Sequence, residues 1–299
     1  MNTSSQPRRA ALKKTALSIS ELSGWYTRVM PFDVPAVVLA NTRLSHDYNV
    51  LALDAPALAA AALPGQFVMV KAAAGHDPLL RRPFSVFEIL RGADGQPVGL
   101  SILVKRIGVS TRLLYEASVG DTIACLGPLG QPFTLVDAPA EGWMVAGGVG
   151  LAPFWTLAEA LVARGVKATL FYGARRKEEL FYLDFFERLG VQLVLTTEDG
   201  SAGEQGRVIA PLDRALAAKP AHEDVLIYAC GPEGMLHATA KTAAQHHRRC
   251  EVSVERVMGC GMGGCYSCVV PMKQASGGFH HVRSCIAGPV LDAAQIVWD

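Results

Sequence analysis

Residues 258–268 read M-G-C-G-M-G-G-C-Y-S-C, and residues 283–285 read R-S-C. Cys260, Cys265, Cys268 and Cys285 are thereby spaced C-x4-C-x2-C-x16-C. Three close thiols and a distant fourth follow the plant-type [2Fe-2S] pattern, in which four thiolates serve two irons. Gly259, Gly261, Gly263 and Gly264 let the backbone turn and bring N–H groups toward the inorganic sulfides. A four-thiolate zinc site is the competing reading, but it usually shows two separated C-x2-C pairs. A disulfide framework fits a short secreted chain, whereas this one has 299 residues and seven cysteines. The stretch predicts a small C-terminal [2Fe-2S] domain, residues 249–299.

Upstream, Trp143–Ala146 is a short apolar strand. Gly147, Gly148, Val149 and Gly150 follow, then Leu151-Ala152-Pro153 and an apolar helix to Arg164. Strand, glycine-rich turn, helix is a phosphate-binding βα unit, though not the G-x-G-x-x-G fingerprint. Strands at Lys167–Tyr172, Gln192–Thr196 and Val225–Ala229 alternate with helices at Leu180–Leu189, Pro211–Ala217 and from Met235 to about His247. That alternation predicts an α/β domain with a parallel sheet over 139–248, its ligand outside the carboxyl ends of the strands. Gly147–Gly150, Gly173–Arg175 and Cys230-Gly231-Pro232 all sit at such ends, so a nicotinamide nucleotide is expected there. Each glycine alone also reads as a plain helix-opening turn. Arg175 and Arg176 would suit a 2′-phosphate, or a solvated pair facing Glu178 and Glu179, so NADP is not excluded beside NAD.

The first half reads as all-β. Val34–Leu39, Tyr48–Leu53, Gln66–Lys71, Phe84–Leu90 and Val98–Lys105 are expected strands, punctuated by Pro64-Gly65, Asp77-Pro78 and Asp94-Gly95. They predict an antiparallel barrel over 31–138. Within it, Arg82-Pro83-Phe84-Ser85 reads as an ordinary strand start or as a flavin site, with Arg82 on a pyrophosphate. Ser110 or Thr111 is expected to cap a helix to Glu116, whose start favours a phosphate. Gly127–Gly130 is expected to turn the chain out of the barrel. Residues 1–30 read as a flexible polar arm. Twenty-eight basic and 27 acidic residues leave a net charge of +1, which favours neither nucleic acid nor an anionic membrane. No 18-residue apolar run suggests a membrane span, and thiols set in a cluster motif suit a reducing cytoplasm.

R-R-P-F-S, G-G-V-G-L-A-P, Y-A-C-G-P-E-G-M-L, V-E-R-V-M-G-C-G-M-G-G-C-Y-S-C-V-V and C-I-A-G-P-V, in this order, resemble the ferredoxin–NADP reductase superfamily. Within it they resemble most closely the electron-transfer subunits of NAD-linked dihydroorotate dehydrogenase. The resemblance implies FAD held by Arg82, Pro83, Phe84, Ser85, Leu103, Val104, Lys105, Ser110 and Thr111. It implies nicotinamide nucleotide at Gly147, Gly148, Gly150, Cys230, Gly231 and Pro232, and a cluster on the four cysteines. It further implies a separate FMN-containing catalytic subunit, two copies of each chain, and electrons passing from dihydroorotate to NAD+ in pyrimidine biosynthesis. No catalytic acid or base is expected here. Related subunits of sulfhydrogenases, sulfite reductases and ferredoxin:NADP complexes share these motifs, and a redox-sensing module without turnover is a further reading.

Overall fold

Alternating apolar residues build the first sheet. A computed structural model describes residues 30–298; the arm expected over 1–30 lies outside them, Met30 apart. Strands β1 (Phe32–Arg43), β2 (Tyr48–Asp54), β3 (Phe67–Lys71), β4 (Arg82–Ser85), β5 (Glu88–Arg91), β6 (Pro97–Lys105) and β7 (Thr122–Leu129) pair antiparallel in the order β4-β3-β7-β1-β2-β6-β5. Helices α1 (Pro56–Ala61) and α2 (Val109–Glu116) accompany them. Ala36, Val38, Leu51, Leu53, Val68, Val70, Leu100, Ile102 and Val104 fill the barrel core.

The strand expected over Phe84–Leu90 is two strands. At Val86-Phe87 the chain changes partner: Val86 N–H donates to Gln66 O (3.0 Å) at the β3 side, and Phe87 N–H donates to Ser101 O (2.9 Å) in β6. This two-residue corner joins the two outer strands and closes the sheet. Gly127-Pro128-Leu129, expected as a turn, belongs to β7, where Gly127 pairs with Phe32 and Leu129 with Phe67.

The second sheet holds β8 (Glu141–Gly147), β9 (Lys167–Ala174), β10 (Gln192–Thr197), β11 (Glu204–Gln205), β12 (Val225–Cys230), β13 (Arg249–Ser253) and a later strand, Val290–Asp292. All pair parallel except the last, which runs antiparallel to β13. Helices α3 (Phe154–Ala163), α4 (Leu183–Arg188), α5 (Ile209–Ala218) and α6 (Glu233–Gln245) cross between strands. The central strand β12 is buried at Val225, Leu226, Ile227, Tyr228 and Ala229, as a sheet covered on both faces requires. The boundary expected at 248 falls just before β13, which lies beside β12, so the last segment lends strands to this sheet. Its remainder is the hairpin β14 (Val269–Lys273) and β15 (Phe279–Arg283), then α7 (Ser284–Ala287); Val290–Asp292 is β16.

One apolar cluster runs from barrel to sheet. Tyr48 meets Phe181 with ring centroids 5.0 Å apart, Phe87 meets Tyr182 at 4.8 Å, and Phe133 meets Phe154 at 5.9 Å. The barrel corner that carries Ser85 is thereby packed against the nucleotide-binding half.

Candidate functional site

The cysteine loop is built against the barrel. Met258, Cys268 and Cys285 pack with Phe67 and Met69 of β3 and Leu126 and Leu129 of β7. The loop approaches so closely at Gly261 that a β-carbon there would lie 2.5 Å from Met69 Cγ, and φ is +71°. Only glycine meets both demands. Met69 pairs across with Pro83, so the loop lies one strand from the R-P-F-S motif.

Of the four expected thiols, Cys268 and Cys285 share one packed cluster. The Cys265 thiol feels Cys260, and the Cys285 thiol feels Cys268 first and then Cys260. Among the described residues no three Cys, His, Asp or Glu side chains gather tightly enough to ligate one ion. A [2Fe-2S] cluster asks for two thiolates on each iron rather than three on one. The thiols differ in environment. Cys265 is exposed and its thiol is pulled down to about 6, chiefly by hydrogen bonds from Ser267 and then by Cys260. Cys285 is 1% exposed, and burial, then Cys268 beside it, pushes it up to about 12 in the metal-free chain. Cys260 Sγ accepts the N–H groups of Met262 (3.4 Å) and Gly264 (3.3 Å). Arg283 donates to Gly263 O at 2.7 Å and lies over the Tyr266 ring. Backbone N–H donors aimed at sulfur, a glycine approach and buried thiols fit an iron–sulfur cluster.

In the barrel, Arg81 and Arg82 divide their work. Arg81 Nη2 donates to both carboxylate oxygens of Asp33 at 2.9 Å. Arg82 is exposed and reaches only carbonyls of its own loop, Leu80 O and Arg81 O, both at 3.1 Å. Its charge is therefore available to an anion. Ser110 is buried, and its Oγ has no hydrogen-bond partner, a vacancy that suits a bound polar group. Thr111 takes the capping task. Its Oγ1 accepts from Ile107 N–H and Gly108 N–H, both at 2.9 Å, and donates to Gly108 O at 3.1 Å, so it caps α2 with its hydrogen-bonding capacity used. Val104 points into the barrel core and Leu103 into the barrel–sheet cluster, so only their backbones remain for a ligand. Lys105 Nζ lies 5.2 Å from the Tyr48 ring centroid. Pro83, Phe84 and Ser85 are half-buried on β4, with Phe84 against the core. These residues fit a flavin nucleotide. Arg82→Ala is expected to weaken FAD retention about ten- to a hundredfold, the worth of one charge-assisted contact, measured as FAD content after gel filtration of dilute protein.

At the sheet, Gly147 ends β8, level with Gly173 of β9, and Cys230 ends β12, level with Ala146. A β-carbon at Gly150 would lie 2.0 Å from Cys230 O, so this glycine joins the two turns by backbone contact. Gly148 has φ +56°, a left-handed conformation that favours glycine, and a β-carbon there would meet nothing. Pro232 precedes α6, and Gly231 lies against Gly147. Burial pushes the Cys230 thiol up to about 12, so it is a neutral thiol near neutral pH. Arg175 is held by Glu179 at 2.6 Å, with Arg176 at 3.8 Å from the same carboxylate. Glu179 was anticipated as a partner of this arginine pair; Asp33, Ser267 and Arg283 were not anticipated as partners. Only Ser267, inside C-Y-S-C, carried a signal in its position.

A barrel followed by a parallel sheet, with nucleotide-sized turns at the strand ends, is the ferredoxin-reductase class of NAD-linked flavin oxidoreductases. Residues 35–133 match the oxidoreductase FAD-binding domain family and residues 144–241 the oxidoreductase NAD-binding domain family. Residues 255–297 match the iron-sulfur cluster binding domain of dihydroorotate dehydrogenase B. The dihydroorotate dehydrogenase B (NAD(+)) electron transfer subunit of Desulforamulus reducens is 34% identical over 265 residues, 88% of this chain and 98% of that one. Its counterpart in Geobacillus kaustophilus is 40% identical over 236 residues, 78% and 86% of the two chains. A chain of the NADH-dependent reduced ferredoxin-NADP oxidoreductase, solved in a study of flavin-based electron bifurcation, superposes with a TM-score of 0.76 at 27% identity, covering 89% of this chain and 91% of that one. The chain belongs to the family of dihydroorotate dehydrogenase B (NAD(+)) electron transfer subunits. No helix among the described residues is long and apolar enough to cross a membrane.

Proposed function

We propose that this chain carries electrons from a separate FMN-containing subunit, which oxidises dihydroorotate, to NAD+ during pyrimidine biosynthesis in the cytoplasm. The assembly holds two copies of each chain. Cys260, Cys265, Cys268 and Cys285 hold the cluster; Arg82 and Ser110 anchor the FAD; the turns at Gly147–Gly150 and Cys230–Pro232 orient the nicotinamide. FAD, when bound, exchanges hydride with nicotinamide and single electrons with an iron–sulfur centre. The observation that carries this reading is the packing of the thiol loop on β3, one strand from R-P-F-S. Val257, Met262 and Tyr266 are exposed on the same loop as exposed Cys265, an apolar surface suited to a partner protein. The buried thiols Cys268 and Cys285 face the barrel instead.

The purified chain is expected to pass electrons from NADH to ferricyanide and to leave dihydroorotate untouched. Adding a dihydroorotate dehydrogenase catalytic chain should couple dihydroorotate oxidation to NADH formation. Oxidation by the chain alone would contradict the assignment. Coupling only with a hydrogenase or sulfite-reductase partner would move the chain to a different complex.

A further inference from the structure

Ser267 lies between Cys265 and Cys268 in the thiol loop and is exposed. Its Oγ accepts the Gly259 N–H at 3.0 Å and lies 3.1 Å from Cys265 Sγ. A hydroxyl has one proton and two lone pairs. The Gly259 N–H occupies a lone pair, so the proton remains for the sulfur. A ligating cysteine is a thiolate with no proton to give. The direction of the bond follows: Ser267 O–H donates to Cys265 Sγ.

We propose that Ser267 is a positioning residue that tunes the cluster, its hydroxyl bond to Cys265 holding the reduction potential above that of the same cage without it. The inference rests on reading Cys265 as a cluster ligand. An added electron increases negative charge on the ligand sulfurs, and a charge-assisted donor binds the more negative sulfur more strongly. Hydrogen bonds to sulfur and solvent exposure are among the factors that set such potentials. Cys260 receives its donors from the backbone of Met262 and Gly264, which a side-chain substitution leaves in place. At Cys265 the donor is a side chain, so Ser267→Ala removes it together with the acceptor of the Gly259 N–H, while Ser267→Thr keeps both. Because Cys265 is exposed, water replaces part of the lost bond, and the effect is about one order of magnitude in the reduction equilibrium.

The test is an EPR-monitored redox titration of the full chain in complex with its catalytic partner, comparing wild type, Ser267→Ala and Ser267→Thr. Iron, sulfide and FAD contents are measured alongside. Ser267→Ala should lower the one-electron reduction equilibrium about tenfold, a shift of about 59 mV to more negative potential. Ser267→Thr, which keeps the hydroxyl, should stay near wild type. An unchanged potential in a fully loaded Ser267→Ala protein overturns the proposal, as does an equal shift in Ala and Thr. If Ser267→Ala does not keep the cluster, Ser267→Val against Ser267→Thr repeats the comparison at nearly equal volume, and equal potentials overturn it. If neither Ala nor Val keeps the cluster while Thr does, Ser267 serves cluster retention rather than its potential, which overturns the proposal. A wild-type chain that binds no iron and sulfide at all would instead overturn the ligand assignment.

Discussion

Cys285→Ser is expected to yield a folded, yellow chain that keeps FAD and has lost its brown colour. Cys285 is buried on α7 against β3 and β7, so water cannot readily take the place of its sulfur. Serine is a poor thiolate substitute for a soft iron site. Coupled dihydroorotate-to-NAD+ transfer should fall more than about a hundredfold, beyond the loss typical of removing a partner outside the ligand set. NADH–ferricyanide activity through the flavin should persist. Visible absorbance, iron and acid-labile sulfide report the cluster, and released FAD reports the barrel. A Cys285→Ser protein with full iron and sulfide and unchanged coupling would remove this thiol from the ligand set. Equal loss of FAD would show a folding defect rather than a ligand effect.

Gly150→Ala carries the second large effect, at the opposite end of the path. Its β-carbon would stand 2.0 Å from Cys230 O and 2.7 Å from Gly231 N, both backbone atoms. The turn after β8 and the end of β12 must then separate, and these segments are the ones read as orienting the nicotinamide. A misplacement of about 1 Å costs on the order of 100-fold in rate, so NADH–ferricyanide turnover should fall by at least that factor. FAD and cluster, held by the barrel and the C-terminal loop, should remain. Stopped-flow reduction of the bound flavin by NADH measures this directly. A rate within a few-fold of wild type would show that the two turns do not position the nucleotide.

Much of this was legible in the residues. The cysteine spacing predicted a thiol loop and a distant closing segment, and Cys268 of the loop does pack with Cys285 of that segment. The strand–glycine–helix pattern predicted the parallel sheet, since buried parallel strands such as β12 are almost wholly apolar. Other features were hidden by tertiary choices. Phe84–Leu90 has no break in its apolar pattern, yet the chain changes partner at Val86-Phe87 because the barrel closes there. Gly127-Pro128 carries turn chemistry, but its pairing with Phe32 keeps it in β7. Gly150, expected at the nucleotide turn, has a second demand that the residues did not announce: the closeness of Cys230 O leaves no room for a side chain. Thr111 was expected both to cap α2 and to meet FAD; its hydroxyl caps, taking up the N–H groups of Ile107 and Gly108. At Val86-Phe87 and at Gly127-Pro128 a local residue type was recognised, and a strand distant in the sequence decided its use.

The central claim is that electrons from dihydroorotate reach NAD+ through the thiol loop. Rapid mixing of the anaerobic reconstituted complex with dihydroorotate, without NAD+, tests it most directly by EPR. The expected result is a reduced [2Fe-2S] signal that forms no more slowly than turnover and decays when NAD+ is added. NADH formation at the full rate, while the cluster stays oxidised throughout or is reduced more slowly than turnover, would contradict it.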